Sequence, residues 1–149
     1  MGIFDSTEEE PSSKIRRYII TTLVFIALIL GGCWYLLRFH AEKNTIRHFM
    51  NDVIAGNMQE AYKIWQPSQS YAFKDFLDDW GPNGYYGPVK SFNIEDTERL
   101  KDSTAVVIVV DVSPDQPFPD DRDAVRQNRV KQIKLWVEFK DQSISFPPF

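Results

Sequence analysis

The chain has 149 residues, room for one small domain beside an anchor, and its 43 % apolar and 14 % aromatic content is enough to fill a core. Basic and acidic residues are nearly balanced, 17 against 21, and beyond residue 40 the balance is mildly negative, which excludes the basic surface that draws nucleic acid. The single cysteine, Cys33, excludes an internal disulfide and any cysteine-built metal site.

In chain order, residues 1–17 carry Pro, Ser and acids without periodicity and are expected to be a disordered tail. Residues 18–37 form an uncharged apolar run. As a helix, twenty residues rise roughly 30 Å, the depth of a bilayer's hydrocarbon core, with every backbone group satisfied internally. Tyr18 stands at one end and Trp34 with Tyr35 at the other, where amphipathic rings anchor to the interface. A helix apolar on every side cannot be covered by so small a domain, so lipid is the expected solvent.

Two other readings compete. One is a cleaved secretory signal, for which the small-residue cleavage motifs are poor. The other is a bacterial lipoprotein signal, since Leu30-Gly31-Gly32-Cys33 resembles one and Cys33 would then be the lipidated residue; Trp34–Leu37 extend the apolar run past the point where lipoproteins turn polar. The uncleaved span is preferred. Basic residues near the two ends are almost tied, Lys14, Arg16 and Arg17 against Arg38, Lys43 and Arg47. A short basic tail is the more easily retained, so the N-terminus is expected in the cytoplasm and residues 38–149 outside.

Residues 38–149 are expected to be a soluble α+β domain. Ile46, Phe49, Met50, Val53 and Ile54 mark one face of a helix over 40–55, stopped by Gly56. A second helix, 58–65, aligns Ala61, Tyr62 and Trp65; a third, near 71–80, aligns Phe73, Phe76, Leu77 and Trp80 before Gly81-Pro82. The period then changes to two. Phe92 and Ile94 mark a first strand, and 105–112 is a β-branched run apolar on both faces, as a central strand is. In 130–140, Ile133, Leu135, Val137 and Phe139 share a face; Ile144 with Phe146 closes a fourth strand before Pro147-Pro148. Between the middle strands, 113–128 is a long loop with three prolines and four aspartates. Helices first and an antiparallel sheet afterwards define an α+β domain with helices on one sheet face.

The order resembles the cystatin-like α+β cone superfamily, including nuclear-transport-factor-two-like domains. The likeness is carried by FMNDVIAGNMQEAYKIW (49–65) and FKDFLDDWGPNGYYGPVKSFNI (73–94), and spans roughly residues 40–147. It implies a curved sheet of about four strands wrapped on helices. The anchored layout also looks like assembly factors of secretion machines and like membrane proteins that assist cytochrome oxidase assembly or inner-membrane translocation. Fold alone does not fix which.

Chemistry is sparse. Some enzymes of that superfamily use a His–Asp pair inside the cone, but His40 and His48 both lie on the first helix of the domain. His48 and Asp52, four apart, read as a solvated helix pair rather than an acid–base pair. Asp78 and Asp79 read as a polar face, and the aspartates of 115–123 lack the Asp-x-Asp-x-Asp-Gly calcium pattern. No cofactor or metal and no catalytic residue is expected. The most informative stretch is Trp80 to Pro88, whose glycines and prolines shape a turn carrying Tyr85 and Tyr86. Trp80, Tyr85 and Tyr86 are the candidate partner- or ligand-contact residues, against the plainer alternative that Trp80 and one tyrosine plug the core. The first expectation is a non-enzymatic, membrane-tethered interaction module that contacts the lipid bilayer and a membrane or envelope protein, without nucleic acid. A small-molecule-binding cone is the second.

Overall fold

The computed structural model describes residues 11–65, 70–121 and 123–148. The chain divides into two compact units, Met1–Arg38 and Phe39–Phe149.

The first unit holds α1 (Pro11–Leu37), a 27-residue helix. It begins seven residues ahead of the apolar run, so Pro11–Arg17 of the expected disordered tail are helical; Met1–Glu10 lie outside the described residues. Pro11 suits a first helical position because its fixed φ matches the helix and its missing N–H has no intrahelical partner there. The helix is long and apolar enough to cross a membrane by length and composition.

The second unit is α+β. It runs α2 (His40–Ala55), α3 (Met58–Ile64), α4 (Phe73–Trp80), then β1 (Ser91–Glu98), β2 (Ala105–Ser113), β3 (Lys131–Glu138) and β4 (Ile144–Ser145). The four strands form one antiparallel sheet in the order β1-β2-β3-β4. Gly56, at φ 78°, ends α2, and the Gly56 and Asn57 amides return to the Val53 and Asp52 carbonyls. The Ala72 N–H donates to Asp75 Oδ2 at the start of α4.

Helices cover one sheet face. Ile46, Phe49, Met50 and Val53 of α2 meet Val106, Ile108, Val110 and Val112 of β2 and Ile133, Leu135 and Val137 of β3 in one buried cluster. Trp65, at the end of α3, makes an isolated parallel bridge with Ile144.

Strand β1 reaches further than its apolar residues do. A register shift between Ile94 and Asp96 leaves Glu95 out of the pairing, and its effect is one of phase. Strict alternation from Ile94 inward would turn Asp96 and Glu98 into the core. The bulge instead pairs Asp96 with Val109 and Glu98 with Val107 on the outer face, and sends Thr97 inward opposite Ile108.

Candidate functional site

The loop after α4 folds back on the last turn of that helix. Tyr85 N–H donates to the Asp78 carbonyl at 2.9 Å and Tyr86 N–H to the Asp79 carbonyl at 2.8 Å; Gly84 and Gly87 close tight turns on Gly81 and Gly84. A Cβ at Gly87 would stand 1.9 Å from the Gly81 carbonyl oxygen, so a side chain there is excluded by close backbone approach.

That fold-back separates the three aromatics predicted to act together. Trp80 is 1 % exposed. Its ring meets Phe49 edge-on at 5.0 Å, Trp65 at 5.7 Å and Tyr86 at 5.0 Å, and lies parallel to Phe146 at 6.5 Å. Its Nε1 is buried without a hydrogen-bond partner among the described residues. Tyr86 is half-buried, and burial first, then the nearby Asp79 carboxylate, pushes its hydroxyl pKa up. Tyr85 is 69 % exposed, edge-on to Tyr86 at 4.9 Å. Lys131 Nζ stands 5.0 Å from the Tyr85 ring centroid and donates to the Tyr85 carbonyl. Trp80 is therefore core, Tyr86 is backing, and Tyr85 is the ring that solvent reaches.

A polar lattice supports this end of the helices. The Tyr71 hydroxyl donates to Asp79 Oδ2 at 2.6 Å, and the Tyr62 hydroxyl to the Tyr71 carbonyl at 2.9 Å. Burial and the Asp79 carboxylate raise the Tyr71 pKa, so the tyrosine stays a donor.

A second concavity, of about 610 Å³, lies between α2, the end of α3 and the turn after β3, with Asn44, His48, Asp52, Lys63, Trp65 and Gln142 in its walls. His48 Nδ1 lies 3.0 Å from Asp52 Oδ2, with the imidazole largely exposed. Gln142, at φ 58°, fastens the turn to α2: its Oε1 accepts from Thr45 Oγ1 (3.0 Å) and its Nε2 donates to Glu42 Oε1 (3.2 Å). This attachment spans a hundred residues and leaves no local signal in the sequence. In the loop after β2, Arg129 donates to Asp115 Oδ2 (2.9 Å) and Asp121 Oδ2 (2.8 Å) and Arg126 Nη1 lies 3.6 Å from Asp123 Oδ1, so three of the four aspartates carry an internal counter-charge.

On the outer sheet face, Asp111 of β2 is 9 % exposed between Asn93 and Gln132. Burial raises its pKa, outweighing the Gln132 Nε2 donor that lowers it, and Glu95 adds to the rise. A raised carboxylate pKa means the folded state binds its proton more tightly than the unfolded chain. The destabilisation is then full above the folded value and fades as pH falls through it towards the unfolded one. Asp111→Asn keeps an oxygen for Gln132. It is expected to raise Tm at neutral pH and to flatten that part of the pH–stability profile; a fall in Tm at neutral pH would count against the burial assignment.

On α1, Tyr18, Trp34 and Tyr35 are all exposed, as is Cys33. The Arg38 guanidinium lies 5.6 Å from the Trp34 ring centroid. The helix continues through Trp34–Leu37 past Cys33.

The two units are thus an apolar helix with outward-facing side chains and a helix-backed antiparallel sheet whose exposed Tyr85 packs against Tyr86 and Lys131. Compared with protein-family models, curated proteins and solved structures, the chain matches none.

Proposed function

We propose that this chain is a single-pass membrane protein, N-terminus in the cytoplasm, whose domain beyond Arg38 is a non-enzymatic interaction module for a membrane or envelope protein complex. The observation that carries the reading is the complete exposure of the apolar stretch of α1: none of its most apolar window is buried against protein. Large apolar side chains from Ile19 to Leu37 facing outward on all sides would be a severe liability in water and are unremarkable in lipid.

The domain's contribution is recognition. Its interior is filled by rings at contact distance, Phe49, Trp65, Phe76, Trp80 and Phe146 among them, which favours surface contact over an internal ligand. A cystatin-like cone remains our reading of the helix-on-sheet layout. Tyr85, an exposed ring fixed by Tyr86 and Lys131, supplies rigid contact area at low entropic cost.

The test is crosslinking in native membranes followed by mass spectrometry, with Tyr85→Ala/Tyr86→Ala beside the unaltered chain. The variant is expected to stay in the membrane pellet and to lose its crosslinked protein partners. An unchanged partner set would remove this surface from the proposal; recovery of the unaltered chain in the supernatant without detergent would remove the tether.

A further inference from the structure

Helix α2 sorts its charges by face. Its two acids turn inward: Glu42 is 8 % exposed and accepts from Gln142, and Asp52 sits against His48. At 100° per residue, His40, Lys43, Asn44, Arg47 and Asn51 fall within about 100° of one another on the remaining side. All are exposed except the half-buried Lys43. Neither Lys43 nor Arg47 has an acidic partner among the described residues. The rest of the domain has the opposite sign, with 11 Lys/Arg against 15 Asp/Glu beyond Gly56.

The place of this strip in the chain gives it meaning. His40 follows Leu37, the last residue of α1, by three positions, and three residues reach about 10 Å at most. His40 to Arg47 adds about 10 Å of helix. If α1 spans a bilayer, the strip starts within about one Debye length of the headgroups.

We infer that the Lys43–Arg47 side of α2 docks on anionic lipid headgroups, turning one face of the tethered domain down onto its own membrane. The inference rests on the membrane reading of α1. A tether alone leaves a domain free to rotate. Each cation near an anionic surface favours docking about fivefold, so Lys43 and Arg47 together shift the docked-to-undocked ratio about 30-fold. The same surface repels the acidic remainder of the domain, which leaves this face as the one that settles.

The experiment uses the full chain in nanodiscs, with Cys33→Ser and a spin label on Asn44→Cys, an exposed position of the strip. Discs contain phosphatidylcholine alone or phosphatidylcholine with phosphatidylglycerol, and each carries a nickel-chelating lipid. The reading is the collision rate between label and nickel. It is expected to rise strongly in the anionic discs, to fall back at molar salt, where the Debye length shrinks to about 3 Å, and to stay at the zwitterionic level in Lys43→Gln/Arg47→Gln. Equal collision rates in the two kinds of disc, for a chain that co-elutes with both, would overturn the docking and leave the tether standing. A chain that co-elutes with neither would overturn both.

Discussion

Trp80→Ala is expected to cost the domain about 3–5 kcal/mol of folding stability, the range for removing a large ring from a packed core. A domain of this kind has only about 5–15 kcal/mol in total, so the variant loses a large share of its stability. The expectation rests on where the ring sits. Trp80 joins rings from α2 (Phe49), the end of α3 (Trp65), the following loop (Tyr86) and the chain after β4 (Phe146), at centroid separations of 5.0–6.5 Å. No one of those elements can close over the space it would leave without losing contact with another. Two companions separate this cause from others. Trp80→Phe keeps most of the volume and deletes an indole N–H that has no partner among the described residues; it should recover most of the loss. Tyr85→Ala, at an exposed position, should stay within about 0.5 kcal/mol of the parent. Urea unfolding of the full chain in detergent, followed by circular dichroism, measures all three. A Trp80→Ala loss below about 1 kcal/mol would mean the ring is not held as described.

That contrast shows what could be read from the residues alone. Trp80, Tyr85 and Tyr86 look alike in sequence, three large aromatics around a glycine-rich turn. Their separation into core, backing and surface follows from the Tyr85 and Tyr86 amides bonding back to Asp78 and Asp79, a feature of backbone path that composition does not encode. The helices were legible because burial and period agree: α2 occupies 40–55 as its apolar spacing predicts. Strand β2 was legible because its residues are buried on both faces and only a central strand needs that. In sequence, strand β1 is marked only by Phe92 and Ile94. The bulge at Glu95 lets the strand continue to Glu98 with acids outward, and a pattern that changes phase mid-strand does not show as alternation. The arginine clamp at Asp115 and Asp121 and the Gln142 attachment leave no signal in the sequence because each is made by polar side chains with no periodicity, and Gln142 reaches Glu42 across a hundred residues.

A second large effect is expected in the anchor, where the solvent decides the sign. Eleven Leu, Ile, Val and Phe residues lie between Tyr18 and Leu37. On the insertion scale each contributes about −0.3 to −0.6 kcal/mol, roughly −5 together, partly offset by Thr21, Thr22 and the two glycines. Arginine near the middle costs about 2.5–3.5 kcal/mol. Leu28→Arg should therefore bring membrane insertion close to balance, and Val24→Arg/Leu28→Arg should abolish it, moving the chain from the carbonate-resistant pellet to the supernatant. Ile15→Arg, three residues ahead of Tyr18, should leave the chain in the pellet, because the headgroup region tolerates the charge. The opposite response would follow if α1 met water: two arginines on its exposed surface would then improve solubility and leave location untouched. A doubly substituted chain that resists carbonate as the parent does would show that lipid is not what surrounds Val24 and Leu28.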